Sequence, residues 1–549
     1  MKRLFISAAI LAASVVTAQA QDFLKGKVLK IDMSETVSER ASGGGFSMPV
    51  SISGVSGSSV SLLDLELALE KAAKDDDIAM VYLNFDKVKA GAAAREELRE
   101  CIRRFSASGK PVVAYGASLS NASYYLASVA DKVFLHPKGS GTLNGLSSTQ
   151  YFLKDLLDTL GVEVQLIRHG KFKSAGEMYI RNDISPENRR QYEALQSSLW
   201  KTITEEIAAS RKVSVDSVRF WADNLALSTA DTWVDKGLVD GLKYRDEMEQ
   251  YICHLFGTKN PDAVGRIGIK EYAKKAAKRK GKTKIAVLYA DGEIARTGNQ
   301  IAGEKFAADV ARLRKDESVA AVVFRVNSPG GEVVAADMIR REIELLGKEK
   351  PVIASYGAYA ASGGYLISAG CRKIFTDNTT LTGSIGVFGM IPSLGKAIKK
   401  IFKVNVVSVE TSPHSALGNG MRPLTQEEQD WYQKEIEAVY TDFVSVVSEG
   451  RDMTQEQVDE IAQGRVWSGR DALLIGLADE KGTLMDAIAC AAEEADLDKY
   501  GIVSYPEVKS MTLAEIMGKG SSKKDDNPLV NLLENPGYRA MAQMPYIEF

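Results

Sequence analysis

Histidine and cysteine are scarce in this chain, with four of each in 549 residues. Cys101, Cys253, Cys371 and Cys490 are far apart, with no CxxC pair and no metal-ligand spacing, which argues against a zinc site. His136, His169, His254 and His414 are equally scattered, and none stands in a nucleophile-elbow or HExxH context. A hydrolase built from this chain must therefore take its base from another residue type. A surplus of positive charge is missing too. With 69 Lys and Arg against 72 Asp and Glu, the net charge is -3, which argues against nucleic acid as a partner. No cofactor and no metal is expected. Apolar runs of membrane-spanning length are absent after the first residues, so the bulk of the chain reads as soluble.

The N-terminus is the exception. Met1-Lys-Arg leads into an apolar run from Leu4 to about Val16 and then Ala18-Gln-Ala20, the layout of a secretory signal with a small-residue cleavage site. The run falls short of the roughly 20 residues that span a bilayer, which favours a cleaved signal over a permanent anchor. The protein is expected to be exported. It would stay attached to a membrane if the segment is kept, and be soluble if it is cleaved. Exported cysteines can pair, and the sequence does not say which do.

What is abundant is self-similarity. Val113-Ala-Tyr-Gly-Ala, running on to Phe134-Leu, answers to Ala354-Ser-Tyr-Gly-Ala, running on to Ile374-Phe, about 241 positions later. Val81-Tyr-Leu-Asn-Phe matches Val322-Val-Phe-Arg-Val, and Leu143-Asn-Gly matches Ser384-Ile-Gly. The chain reads as a tandem duplication into two units, each large enough for a core of its own. The copies differ where chemistry is possible. Ser362, in Ala360-Ala-Ser-Gly-Gly-Tyr, corresponds to Asn121, so the first copy has no hydroxyl there. Gly170-Lys-Phe-Lys-Ser-Ala-Gly-Glu177 corresponds to Ser412-Pro-His-Ser-Ala-Leu-Gly, so the second copy has no lysine there. Halves that divide a nucleophile and a base between them would form one composite site.

Hydrophobic patterning predicts strands over 79–85, 111–115 and 162–167 alternating with helices over 62–73, 92–105 and 151–160, which is βαβ construction of the α/β class. In the second unit a buried strand from Val319 breaks at Asn327-Ser-Pro-Gly-Gly331, and a helix with apolar Ala336, Ile339, Ile343 and Leu346 follows, stopped by Gly347. The expected division is 1–20 signal or anchor, 21–59 connecting segment, 60–255 first domain, 256–284 basic linker, 285–510 second domain and 511–549 flexible tail. The linker packs seven Lys or Arg into eleven residues and reads as solvated, with anionic lipid headgroups as the sharper alternative. The tail is expected to be peripheral to the chemistry.

Two glycines between a strand end and a helix start leave backbone N–H groups unencumbered, as a developing oxyanion requires, although a tight turn needs no more than that. Ser362 follows the strand that starts at Pro351, and small residues surround it. It can be read as a helix N-cap. As a nucleophile it would have the Gly363 N–H beside it as one oxyanion donor and the Gly330-Gly331 turn for the other. A serine hydroxyl needs a base, and a lysine removed from water can be one, because burial disfavours the ammonium. Lys171 and Lys173 both qualify, and composition does not choose between them.

Ser-Pro-Gly-Gly at 328–331, Ala-Ala-Ser-Gly-Gly-Tyr at 360–365, Leu-Thr-Gly-Ser-Ile-Gly at 381–386 and Lys-Ser-Ala at 173–175 occur in the order found in the bacterial signal peptide peptidase family SppA, in its long duplicated form. The chain resembles that family over nearly its whole length. The resemblance implies a ClpP/crotonase-like fold in each half, a serine nucleophile at Ser362 and a general-base lysine at Lys173, selected over Lys171. It also implies that Ser384 orients the lysine amine and that the N–H groups of Gly331 and Gly363 form the oxyanion hole. Peptide substrates such as cleaved signal peptides, a homotetramer and association with the membrane are implied as well. The short N-terminal apolar segment departs from the family, whose long form carries a longer, uncleaved anchor.

A rival function keeps the fold and changes the class. Crotonase-like domains bind acyl-thioesters, stabilise an enolate with the same pair of N–H groups and use carboxylates as acid and base. Such an enzyme would need neither Ser362 nor Lys173. An inactive scaffold is the third reading, and intact Ser362, Lys173 and both glycine turns stand against it.

Overall fold

The computed structural model describes residues 23–34, 36–40, 59–276, 281–298, 301–506 and 540–543. The N-terminal apolar segment, the glycine-rich stretch from Ser42, the basic triplet 278–280 and most of the tail lie outside the described residues.

The duplication is visible as two sheets with one strand order. In the first half the order is Gly265–Gly268, Lys27–Asp32, Ile78–Asn84, Val112–Leu119, Lys132–Gly141 and Gly241–Leu242, all parallel. In the second half the order is Gly501–Tyr505, Lys284–Asp291, Val319–Ser328, Val352–Ala361, Lys373–Thr376 and Glu480–Lys481, again parallel. Parallel strands covered on both faces need near-continuous apolar runs, and Ile285 to Ala290 and Ala321 to Val326 are buried throughout. Helices cover the faces. Leu62–Lys74 starts on a Ser61 cap and Ala92–Ser106 follows Gly91, both within about two residues of the predicted limits. The helix over Val333–Gly347 buries Ala336, Ile339, Ile343 and Leu346, and Gly347 is its last residue.

Four expectations are revised. The 21–59 stretch is not a connection throughout: Lys27–Asp32 is an inner strand of the first sheet, between Gly265–Gly268 and Ile78–Asn84. The 256–284 stretch is not a solvated connection throughout: Gly265–Gly268 adds a strand beside Lys27–Asp32, and Ile269–Ala276 is a helix burying Ile269, Tyr272 and Ala273. Its lysines occupy the opposite face, so the run of charge concealed an apolar stripe at positions i, i+3 and i+4. The helix expected over 151–160 is confined to Lys154–Leu160. The strand found near 162–167, Glu163–His169, does not join the first sheet. It crosses to the other half and pairs antiparallel with Val387–Ser393 along its full length, from Val387 opposite His169 to Ser393 opposite Glu163.

That crossing is reinforced elsewhere. The long helix Pro186–Arg211 lays Tyr192, Leu195 and Leu199 against Ala361, Leu381 and Val466 of the second half. A buried ion cluster also spans the halves. Arg325, 1 % exposed, donates to Glu39 at 2.7 and 3.1 Å and to Glu97 at 2.6 Å. Its other terminal nitrogen donates to Ser355 Oγ and the Tyr356 carbonyl, each at 2.9 Å. Glu97 also accepts the Leu484 N–H at 2.8 Å. Burial, and secondarily the Glu97 charge, pushes the carboxyls of Glu66 and Asp377 well above the usual carboxylate range. Arg325 lies on the strand that ends in the Ser328-Pro-Gly-Gly turn, so this cluster ties the turn to the first half. Replacing it by methionine leaves two buried carboxylates without their cation. Arg325→Met is expected to destabilise the protein by about 3–5 kcal/mol in denaturant unfolding, and a loss below about 1 kcal/mol would show that the cluster is not an anchor.

Candidate active site

Ser362 follows directly on the Val352–Ala361 strand and precedes the short helix Gly363–Leu366. Its φ of 56° and ψ of -119° lie in a region that L-residues rarely adopt and that costs about 1–3 kcal/mol. The surroundings hold it there: the Ser362 N–H donates to the Gly383 carbonyl at 2.8 Å, and its own carbonyl accepts the Leu366 N–H at 2.9 Å. The sharp turn aims the side chain away from the strand and toward the other half.

From that half comes Lys173. It lies just beyond the crossing strand, and its Nζ is 2.8 Å from Ser362 Oγ, 3.0 Å from Ser384 Oγ and 3.0 Å from the Ser384 carbonyl. All three residues are fully buried. Lys171, the other candidate, is exposed, with its amine over the Phe172 ring. Burial alone drives the Lys173 amine well below the ordinary lysine range, with no opposing carboxylate. A neutral amine has two N–H donors and one lone pair. The Ser384 carbonyl can only accept, so it takes one N–H. If the Ser384 hydroxyl accepts the other, the lone pair is left facing the Ser362 hydroxyl proton. Ser384 itself sits at φ 50°, fixed by its N–H to the Arg465 carbonyl at 2.7 Å.

The lysine stem is clamped by features that spacing does not reveal. A Cβ on Gly464, which sits at φ +77°, would lie 2.6 Å from Lys173 Cβ, and one on Gly386 would lie 3.3 Å from its Cδ. Arg168 donates to the Lys173 carbonyl at 2.6 Å and contacts Glu177 at 3.3 Å. Buried Glu177 also accepts from Ser185 Oγ at 2.7 Å and Asn188 Nδ2 at 3.2 Å. Glu177 closes the motif read as Gly170 to Glu177, but only the fold shows that it braces the backbone of Lys173.

Gly363 follows Ser362 at the start of the short helix, and Gly331 lies on the strand Gly330–Glu332, which packs against that helix. Gly331 admits no side chain, because a Cβ there would fall 1.8 Å from the Ile294 carbonyl oxygen. In the first copy Asn121 stands where Ser362 stands in the second. Its amide donates to the Gly145 carbonyl at 2.7 Å and its Oδ1 accepts the Asn144 N–H at 3.1 Å, so it acts as a bracket.

The tail is not peripheral. Ala540–Gln543 forms a strand with Gly330, Gly331 and Glu332 opposite Gln543, Ala542 and Met541, and with Phe388 and Gly389 on its other side. It separates the glycine strand from Val387–Ser393 in a sheet that ends at Glu163–His169. Sequence separation hid this contact, since nothing in four residues of tail announces a partner 210 positions away. Among the described residues no group of His, Cys, Asp and Glu has the arrangement of a metal site. None of their helices is long and apolar enough to cross a membrane. The four cysteines are unpaired.

The model of peptidase family S49 matches residues 104–255 and 344–498, once in each half. Protease 4 of Salmonella typhi is 36% identical over 474 residues, covering 83% of this chain and 76% of that protein. The chain belongs to peptidase family S49. Protease 4 of Haemophilus influenzae is 35% identical over 78% of this chain and 72% of its own length. The chloroplastic serine protease SPPA of Arabidopsis thaliana is 32% identical over 85% and 69%. Like other S49 proteins, the chain is a serine-type peptidase, and the duplicated match is that of the long SppA type. A solved ClpP1 mutant chain from Listeria monocytogenes overlays 37% of this chain and 94% of that one at 17% identity and TM-score 0.26, too loosely to bear on the fold.

A buried neutral lysine costs stability wherever the unfolded chain can protonate it. Between its depressed folded value and the unfolded value of about 10.4 the unfolded state binds more protons, so this contribution weakens the fold as pH falls. Lys173→Met is therefore expected to be more stable than the parent at neutral pH, with the difference closing above about pH 10.4 in thermal unfolding. A difference independent of pH would mean that Lys173 is charged in the fold.

Proposed function

We propose that the chain is an endopeptidase of cleaved signal peptides and other exported or membrane-released peptides, working through Ser362 as nucleophile and Lys173 as base. The observation that carries this reading is the 2.8 Å contact between a buried hydroxyl and a buried amine contributed by opposite halves. Ser362 Oγ attacks the peptide carbonyl carbon while Lys173 Nζ takes its proton. The carbonyl oxygen becomes an oxyanion, received by the N–H groups of Gly331 and Gly363. Lys173 then gives the proton to the leaving amine, the C–N bond breaks, and an acyl ester remains on Ser362. Water attacks the ester, Lys173 takes the water proton, and Ser362 is regenerated. Ser384 keeps the amine aimed through this cycle.

An extended peptide is expected to bind where Ala540–Gln543 lies, adding main-chain bonds to the glycine strand and to Phe388–Gly389. The resemblance to the SppA family supports two ClpP/crotonase-like halves, the first extending beyond the expected 60–255 to take in the strands Lys27–Asp32 and Gly265–Gly268, and the second near the expected 285–510. It also supports a homotetramer and a place on the periplasmic face of the inner membrane. The thioester reading finds no support at Ser362, because the hydrogen bonds around its side chain and the lysine involve serines and a backbone carbonyl, not carboxylates.

Hydrolysis of a fluorogenic peptide with leucine before the scissile bond tests this. Ser362→Ala and Lys173→Ala are each expected to lose roughly 10³-fold or more in kcat/KM, while Lys171→Ala retains turnover. A chain ending at residue 539 is expected to show a lower KM with kcat little changed, because its groove is free. Full activity in Ser362→Ala would overturn the protease reading.

A further inference from the structure

Lys173, Ser384 and Ser362 are joined through one short stretch of backbone. Gln463 to Val466, four consecutive residues of the second half, reach the neighbours of all three. The Gln463 carbonyl accepts the N–H of Phe172, the residue before Lys173, at 2.9 Å. The Gly464 N–H donates to the Ile385 carbonyl at 2.7 Å and the Arg465 carbonyl accepts the Ser384 N–H at 2.7 Å, so the Ser384 turn is held at two successive residues. Val466 pairs with Gly383, whose carbonyl receives the Ser362 N–H. Its own N–H donates to Gln191 Oε1 of the first half at 2.8 Å. The fit is close, since a Cβ on Gly170 would collide with the Gln463 carbonyl.

This stretch takes its shape from an unfavourable turn. Gln463 sits at φ 55° and Gly464 at φ 77°, two left-handed residues in succession. Glycine adopts that region freely, but glutamine does so at a cost and has to be held there. Its side chain provides the hold. Gln463 Nε2 donates to Asp459 Oδ1 at 2.6 Å, and both Nε2 and the Gln463 N–H reach the Tyr440 hydroxyl at 3.4 Å. That hydroxyl donates in turn to Asp459 Oδ1, and the Tyr440 ring stacks on His169 of the crossing strand with 3.7 Å between centroids.

The first copy keeps the turn and lacks the pin. Leu225, at φ 50°, follows Val215–Asp223 as Gln463 follows Gln455–Ile461. Arg219 stands in that helix where Asp459 stands in its counterpart, and Trp200 stands in Pro186–Arg211 where Tyr440 stands in Gln426–Arg451. Leucine, arginine and tryptophan cannot rebuild these hydrogen bonds. The left-handed turn therefore belongs to the fold, and its polar pin to the copy that carries the serine.

We propose that Gln463 is a positioning residue for the reaction, its side chain fixing, through Asp459 and Tyr440, the backbone that seats Lys173 against Ser384 and Ser362. It touches neither substrate nor the reacting atoms, and the inference rests on the Ser362 and Lys173 reading. Without the pin the turn relaxes and the amine loses its fixed distance to the hydroxyl, and a shift of about 1 Å is enough to cost about 10²-fold in rate. Looser packing also lessens the burial that disfavours the ammonium, so the lysine titrates closer to its ordinary value.

Peptide hydrolysis by the full chain is followed against pH, below the Tm of each variant. Gln463→Gly removes the pin and leaves the turn accessible. Its kcat is expected to fall about 10- to 100-fold with KM within about twofold, and the pH at which kcat is half-maximal to rise. Asp459→Ala and Tyr440→Phe are expected to move both readings in the same direction. Asp459→Asn, whose Oδ1 still accepts both hydrogen bonds, is expected to keep most of the turnover that Asp459→Ala loses. A lower Tm with parental kcat and midpoint in Gln463→Gly would make the role merely structural and overturn the proposal, while an inactive Ser362→Ala leaves the protease reading standing. Full activity in Ser362→Ala would overturn both. If Gln463→Gly fails to fold, Tyr440→Phe decides by the same two readings.

Discussion

The site depends on keeping one amine dry. In the proposed mechanism Lys173 serves as a base only while its amine is neutral, and burial with no carboxylate beside it pushes the amine toward that state. Much of the local structure follows from that requirement. The stem runs between two glycines too crowded for a Cβ, and the backbone is tied down through Arg168 and Glu177. The polar contacts at the tip are limited to two hydroxyls and one carbonyl. A carboxylate beside this amine would favour the ammonium and weaken the base.

Neither half can build this alone. The first copy carries the lysine but has an asparagine where the serine stands, and that asparagine serves as a bracket to Gly145. The second copy carries the serine, while Ser415 stands in place of the lysine, in a loop where it accepts from the Ser412 N–H at 3.0 Å. The crossing strand, the long helix over Ala361 and the Arg325 cluster hold the two contributions together across their interface. Duplication made this division possible, because once two copies were present each could lose one function without loss to the pair.

Much of the fold was legible in the sequence because it is local. Buried parallel strands announce themselves as apolar runs, and their helices as stripes ended by capping residues. The composite site was legible because the repeat exposed complementary losses at Asn121 and Ser362, and the family resemblance separated Lys173 from Lys171. What stayed hidden is non-local. No periodicity tells Glu163–His169 to leave its own sheet, since a strand reads the same whichever neighbour it finds. The basic run masked the apolar face of Ile269–Ala276, and the pairing of Ala540–Gln543 with the glycine strand depends on the gap beside it, not on its own residues.

The central claim is that the Lys173 amine is uncharged beside Ser362, and its own titration tests this most directly. With the lysines labelled at ¹³Cε and the Lys173 signal identified by its loss in Lys173→Met, the chemical shift is followed against pH. The account predicts a midpoint well below the ordinary lysine value of about 10.4. A midpoint at or above that value would contradict it, because a lysine charged at neutral pH cannot take the proton of Ser362.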